Sequence, residues 1–353
     1  MGRGPGLPTL AVVGATGAVG AVMCELLSAR RNVWGEIRLI ASARSAGRTM
    51  KVRDEELTVL ELVPEVFAGV TVAMFEVPDE VSALWAPIAV ECGAVVVDNS
   101  GAFRMDPDVP LVVPEVNSDQ VRHRPRGIIA NPNCTTLAMI VALGALHNEY
   151  VLRELVVASY QAASGAGQAG VDTLLDQVAR VAGDRKIGSR AGNLRQTIGE
   201  DLGPFPAPLA LNVVPWAGSL RDAGWSSEEL KVRNETRKIL GLPDLKVSAT
   251  CVRVPVVTGH SVAVHAIFQS EVDTDGAREV LRHAPGVIVV DDPAAGEFPM
   301  PADAVGTDPT WVGRIRRSLD DPRALDFFVT GDNLRKGGAL NTAQIAEMVA
   351  QDI

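Results

Sequence analysis

The sequence predicts an α/β chain in two parts: a parallel sheet covered by helices on both faces, then an α+β domain carrying a longer-stranded mixed sheet. Three observations lead there. After a short leader rich in Gly and Pro, an apolar strand at residues 9–13 runs into Gly14-Ala-Thr-Gly-Ala-Val-Gly20 and then into a helical pattern over 21–30. Short apolar strands follow at 36–41, 70–75, 94–98 and 127–130, with a helical segment at 80–92, the alternation of a parallel sheet whose crossovers are helices. From about residue 153 the strands lengthen, at 155–161, 211–215, 247–257, 262–272 and 325–330, and helical patterns occupy 168–182, 226–240 and 276–283. A closing helical pattern at 338–353 is expected to pack back on the first part. The domains are drawn accordingly, 1–133 with the closing helix, and 134–337.

The order strand, glycine turn, helix gives the first part a Rossmann-type reading. Glycines there permit a tight turn, close backbone approach to a pyrophosphate and close helix packing, while the helix N-terminus attracts the anion. Gly14, Thr16, Gly17, Ala18, Val19 and Gly20 are therefore candidate cofactor contacts; the plainer reading is a packing turn. After the second strand, where an acidic residue would favour NAD, the chain reads Ser42-Ala-Arg44-Ser45. A guanidinium and a hydroxyl suit a ribose 2′-phosphate, so NADP is preferred, with Arg44 as a solvated surface charge the alternative.

Composition narrows the function classes. At 353 residues with 47% hydrophobic and 22% charged residues, the chain has ordinary globular usage and length for about two domains. A net charge of −10 provides no basic stripe for nucleic acid. Cys24, Cys92, Cys134 and Cys251 form no C-x-x-C pair, so a reduced, cytoplasmic setting is expected. The five histidines show no metal-ligand spacing, and no apolar run reaches membrane-spanning length, so neither a metal nor a membrane is expected.

Cys134 stands where the loop Asn131-Pro-Asn enters the apolar run 137–146. A cysteine at a helix start lies among N–H groups without intrahelical partners, which favours thiolate and can hold a tetrahedral oxyanion. A buried structural cysteine is the alternative. The preceding strand, ending at Ala130, sets Cys134 at the carboxyl edge of the sheet, where open α/β folds bind ligands, so cofactor and thiol are expected to be neighbours. Gly259-His260-Ser261, read as a turn between two strands, offers an acid or base. His265 falls within the strand pattern and reads as packing or surface. Arg253 is a fork suited to a carboxylate, Arg104 a candidate anion ligand, and Glu228 with Lys231 lie on one helical face within reach of a common small ligand, a surface ion pair being the plainer reading. Ser226-x-x-Glu229 is a capping box.

Taken together, Gly14-Ala-Thr-Gly-Ala-Val-Gly20, Asn99-Ser-Gly-Ala-Phe-Arg104, Asn131-Pro-Asn-Cys-Thr-Thr136, Gln161-Ala-Ala-Ser-Gly-Ala-Gly167, Arg253-Val-Pro-Val-Val-Thr-Gly-His-Ser261 and Asn333-Leu-Arg-Lys-Gly-Gly-Ala-Leu-Asn341 resemble the aspartate-semialdehyde dehydrogenase family over nearly the whole chain. The resemblance implies NADP-dependent interconversion of L-aspartyl 4-phosphate with L-aspartate 4-semialdehyde and inorganic phosphate, on the route to lysine, methionine and threonine. It implies Cys134 as nucleophile, His260 as acid/base and Gln161 as a substrate-orienting residue. Arg253 would bind the substrate α-carboxylate and Glu228 its amino group, with Arg104 and Lys231 for phosphate and Asn133 also in the substrate site. Ser164, Gly165 and Asn333 join the cofactor contacts. The second domain would be catalytic and dimerising, giving a homodimer or homotetramer.

One stretch departs from the family. Where members commonly carry a small Ser-Ala-Gly-Gly loop, this chain has Glu76-Val-Pro-Asp-Glu80, whose bulk, rigidity and charge are expected to narrow cofactor approach or repel its phosphates. The alternatives are a related reductase acting on another acyl phosphate such as N-acetylglutamyl phosphate, and a non-catalytic NADP-binding homologue.

Overall fold

A computed structural model describes residues 6–30 and 33–353; the first residues of the Gly/Pro-rich leader lie outside the described residues. The chain divides into two compact units, one of Met1–Asn133, Lys238–Gly241 and Leu334–Ile353, the other of Cys134–Arg237 and Leu242–Asn333.

In the first unit β1 (Leu10–Val13) leads into α1 (Ala18–Ala29), followed by β2 (Ile37–Ala41), β3 (Thr49–Val52), β4 (Glu55–Glu61), β5 (Val72–Phe75), α2 (Asp79–Glu91), β6 (Val95–Asp98), the short α3 (Pro114–Asn117) and β7 (Ile128–Ala130). The strands order as β3-β4-β2-β1-β5-β6-β7, parallel except for the antiparallel β3–β4 edge. β1 and β5 are buried at every residue, because a parallel sheet covered on both faces leaves no solvent side for polar alternation. The chain leaves β1 toward β2 on one side and returns to β5 on the other. The strand order therefore reverses at β1 and β5, which places the crevice of a doubly wound sheet beyond Gly14 and Glu76.

The second unit begins at α4 (Cys134–Tyr150) and continues through β8 (Leu152–Gln161), α5 (Gly167–Val181), α6 (Asn193–Ile198), α7 (Ser227–Leu240, whose last turn belongs to the first unit), β9 (Lys246–Arg253), β10 (His260–Phe268), α8 (Thr274–His283), β11 (Val287–Val289), α9 (Pro301–Ala304), β12 (Thr310–Arg317) and β13 (Ala324–Gly331). Its sheet runs β11-β12-β13-β10-β8-β9, with β8–β9 and β11–β12 parallel and the remaining pairs antiparallel. α4 packs on β10, β12, β13 and β8, and it is buried without interruption from Thr135 to Gly144. A helix apolar all round belongs in a core. The closing helix α10 (Leu340–Asp352), entered through a π-type turn at Arg335–Ala339, belongs to the first unit, where Leu340, Ala343, Ile345, Ala346 and Val349 share a core with Met23, Leu26 and Trp34.

Several expected elements need correction. The expected strand at 211–215 is absent; only an isolated bridge joins Val214 to Arg253. Pro208 and Pro215 flank the stretch without N–H donors and Leu211 takes a left-handed φ of 54°, so no ladder can run through it. The strand expected at 247–257 stops at Arg253, two residues before Pro255. β3, β4, β11 and β12 were not anticipated. β3 and β4 form a largely exposed hairpin in which few side chains are buried, so their apolar signal is weak.

Candidate active site

The second unit brings Cys134, His260, Arg253, Gln161 and Glu228 into relation through strand ends and helix starts. Cys134 is the first residue of α4, where backbone N–H groups lack intrahelical partners. His260, expected in a turn, is instead the first residue of β10 and fully buried, and its Nε2 stands 3.4 Å from Cys134 Sγ. Its other nitrogen, Nδ1, accepts the Ala162 N–H at 3.0 Å. A ring nitrogen that accepts carries no proton, so the neutral imidazole bears its hydrogen on Nε2, facing the sulfur. Burial, and then the Arg253 charge, hold His260 well below the ordinary histidine range and so keep it neutral.

The Ala162 peptide serves both sides of the site, because its carbonyl accepts from Arg253 Nη1 at 2.8 Å. Arg253 is the last residue of β9 and lies in register with Gln161, the last of β8. Burial lowers the Arg253 pKa, while the Cys134 and Glu228 charges raise it, so all three groups share one electrostatic neighbourhood. Gln161 Nε2 donates to Thr135 Oγ1 at 2.7 Å, and its buried Oε1 has no hydrogen-bond partner. Buried carbonyl oxygens are normally paired, so this one is an acceptor in reserve.

Glu228 is buried and accepts from Lys231 Nζ at 2.8 Å. Glu229 closes the capping box, its Oε2 accepting from Ser226 N–H at 2.8 Å while its own N–H donates to Ser226 Oγ at 3.3 Å. Ser164 and Asn333 bond each other at 3.0 Å, and Asn333 Oδ1 accepts the Gly259 N–H at 2.8 Å, anchoring the turn that presents His260. A Cβ on Gly165 would stand 2.5 Å from Arg253 Nη1 and 2.9 Å from His260 Cε1, so glycine is required there by both side chains. His265 pairs with Asp326 at 2.9 Å.

The first unit holds the remaining candidates. Arg104 is buried and donates to the Asn131 carbonyl at 2.8 Å and the Asn99 carbonyl at 2.7 Å, clamping two loops at strand ends. Asn133, buried, closes the unit immediately before Cys134 in the chain. Ser45 is buried with its Oγ 3.3 Å from Thr16 Oγ1, and Arg44 beside it is exposed. Gly17 caps α1, followed by Ala18 and Val19, with no acidic residue in the first turn. A Cβ on Gly14, where φ is +90°, would meet the Glu76 carbonyl oxygen at 2.1 Å, and one on Gly20 would meet the Gly14 carbonyl oxygen at 2.3 Å. At Gly17 the nearest atom to such a Cβ is the Gly14 carbonyl oxygen at 3.4 Å. Close packing at Gly14 and Gly20 with an open, uncharged helix start at Gly17 fits the pyrophosphate of a dinucleotide.

Sequence reasoning missed the residues that work through the backbone or through other side chains. Ala162 acts through its peptide, and nothing in an alanine announces it. Asn99, Asn131, Asn341 and Lys336 were visible within motifs, but their mutual contacts were not. Among the described residues no cluster of His, Cys, Asp and Glu could hold a metal ion, and no helix is long and apolar enough to cross a membrane.

Comparisons with known proteins identify the family. Residues 9–124 match a family model described as semialdehyde dehydrogenase, NAD binding domain, and residues 143–336 one described as semialdehyde dehydrogenase, dimerisation domain. The chain is 48% identical over 352 residues to the aspartate-semialdehyde dehydrogenase of Corynebacterium glutamicum, covering 98% of this chain and 100% of that protein. It is 44% identical over 348 residues to the Bacillus subtilis enzyme of the same name, covering 98% of each. Among solved structures, aspartate semialdehyde dehydrogenase II of Vibrio cholerae complexed with ASA matches with a TM-score of 0.89 at 37% identity, covering 98% of this chain and 99% of that one.

Proposed function

The chain belongs to the semialdehyde dehydrogenase family, and from that premise we propose that it catalyses the reversible, NADP-dependent conversion of L-aspartyl 4-phosphate to L-aspartate 4-semialdehyde and phosphate. The reaction serves lysine, methionine and threonine biosynthesis in the cytoplasm. The observation that carries this reading is the 3.4 Å approach of Cys134 Sγ to the Nε2 of a buried, neutral His260, with Arg253 in the same electrostatic neighbourhood.

The Cys134 thiolate attacks the acyl carbon and phosphate leaves, forming a thioester. Three features favour that thiolate: the start of α4, the Nε2–H of His260 and the Arg253 charge. When bound, the nicotinamide ring supplies the hydride in one direction and takes it in the other. The tetrahedral oxygen that then develops is held by the Nε2–H of His260 and the N–H groups opening α4, until the carbonyl reforms and the thiolate departs. Gln161 orients the acyl group. Arg253 binds the α-carboxylate as a fork, Glu228 takes the amino group, and Arg104, Lys231 and Asn133 serve the phosphate and substrate.

Gly14, Thr16, Gly17, Ala18, Val19 and Gly20 hold the dinucleotide, with Ser164, Gly165 and Asn333 as further contacts, and Arg44 and Ser45 favour NADP through its 2′-phosphate. An N-acylated substrate is disfavoured, since an acylated amine carries no positive charge to pair with Glu228. The chain assembles as a homodimer or homotetramer through its second unit, a reading supported by the exposed Val156 (49%) and Tyr160 (38%) on one strand of its sheet.

The test is phosphate-dependent reduction of NADP by purified protein given L-aspartate 4-semialdehyde, with NAD and an N-acetylated glutamate semialdehyde in parallel. Turnover with NADP and the aspartate aldehyde is expected. Turnover with only the acetylated aldehyde, or with none while NADP still binds, overturns the reading.

A further inference from the structure

Glu76 follows β5 at the point where the strand order reverses, and its carbonyl oxygen lies against Gly14 at the end of β1. Its side chain ends a buried relay. Lys336 Nζ donates to Asn341 Oδ1 at 2.7 Å, Asn341 Nδ2 to Asn131 Oδ1 at 2.6 Å, Asn131 Nδ2 to Asn99 Oδ1 at 2.6 Å, and Asn99 Nδ2 to Glu76 Oε2 at 2.6 Å. An ammonium can only donate, so Lys336 sets the direction of every amide in the series. Oε2 of Glu76 must therefore accept. The other oxygen, Oε1, is buried and has no hydrogen-bond partner among the described residues. Any proton on this carboxyl belongs on Oε1.

We propose that Glu76 is a cofactor-binding residue acting as a neutral carboxylic acid, its Oε1–H donating to a polar atom of the bound dinucleotide while Oε2 holds Asn99. The inference rests on the dinucleotide reading above. A carboxylate at this spot would set negative charge beside a pyrophosphate, whereas a neutral acid removes the repulsion and adds a donor. The surroundings favour the acid: burial is the main cause that pushes Glu76 up to about 8, and the Asp98 charge adds to it. The Asn99 hydrogen bond, the nearby Thr342 hydroxyl, whose own proton goes to the Gly338 carbonyl at 3.0 Å, and the Arg104 charge oppose the shift without cancelling it. The Gly14–Gly20 turn contributes no titratable group, and Asp79 and Glu80 follow on the same segment. The loop expected to obstruct the cofactor thus becomes part of its site, and the relay leads to Asn131, three residues before Cys134 in the chain.

The experiment is calorimetric titration of NADP, and of NAD in parallel, into the purified full chain between pH 6.5 and 9.5, in two buffers of different ionisation heat. Wild-type affinity is expected to hold at low pH and then to weaken toward about tenfold per pH unit above about 8, with binding taking up nearly one proton there. Glu76→Gln keeps a neutral donor and should bind with a flat pH profile and no proton uptake. Glu76→Leu should lose about tenfold at pH 6.5, the scale of one hydrogen bond. A flat wild-type profile without proton uptake overturns the role of Glu76 and leaves the cofactor reading standing. Absence of dinucleotide binding in wild type and Glu76→Gln alike at every pH overturns the cofactor reading, and the inference with it.

Discussion

The N–H of Ala162 donates to Nδ1 of His260 at 3.0 Å, and this bond decides which way the imidazole works. With Nδ1 accepting and the ring neutral, Nε2 presents a hydrogen to Cys134 Sγ and cannot take one from it. In the mechanism proposed above, this makes His260 a donor to the thiolate and to the oxygen of the tetrahedral intermediate rather than the base that strips a thiol. Its replacement by Ala should slow turnover by two or more orders of magnitude, roughly the scale of acid/base catalysis, while Cys134 still alkylates at neutral pH. Stopped-flow kinetics and iodoacetamide labelling check both halves, and unchanged turnover in the variant would remove His260 from the chemistry.

Cys134→Ser should abolish nearly all turnover yet leave NADP binding unchanged. In wild type, alkylation should reach Cys134 before Cys24 and Cys251, because burial pushes those thiols up to about 11 and about 12. Peptide mapping of partially labelled protein reads the order. Retained activity in the serine variant would end the covalent mechanism.

Arg44→Ala should weaken NADP binding and leave NAD nearly untouched, since Arg44 is exposed on the turn after β2 and supports no core. Equal losses for both cofactors, measured by fluorescence titration, would assign Arg44 to the fold alone.

Lys336 is buried against Glu115, 2.6 Å away, and also donates to Asn341 and Gln344. Lys336→Met removes one partner of a buried pair and should cost about 3–5 kcal/mol of stability. Denaturant unfolding measures it, and a loss below about 1 kcal/mol, the worth of a surface pair, would mean the pair is solvated.

Glu76 gives a pH-dependent stability with a definite sign. Below about 4.5 the carboxyl is protonated in both folded and unfolded chains. Between there and about 8, folding must take up a proton that the unfolded chain has released, so this group's contribution falls as pH rises through the window and then levels off. Glu76→Gln, with no proton to bind, should gain Tm relative to wild type as pH rises from 5 to 8. A constant difference across that range would show that Glu76 does not titrate there.

The first unit was legible because its signals are local. Gly14 to Gly20 sits between a strand and a helix whose apolar residues announce themselves by continuity, and Gly14 and Gly20 admit no Cβ for reasons that lie within a few residues or one neighbouring strand. The hairpin of β3 and β4 escaped notice since an exposed edge carries little hydrophobic pattern, and the stretch 211–215 misled because Val213 and Val214 look like a strand that the flanking prolines forbid.

By itself the sequence determined the class of fold, the family, and which side chains are chemically able to act. Only the tertiary structure decided where they stand and how they are protonated. Cys134 and His260 are 126 positions apart, and their 3.4 Å separation, like the direction of the Lys336 to Glu76 relay, comes from how strand ends and helix starts meet. The physical reason is that residue type sets what a group can donate, accept or ionise, while its protonation state depends on burial and on the few atoms beside it. Here one of those atoms is the peptide nitrogen of an alanine.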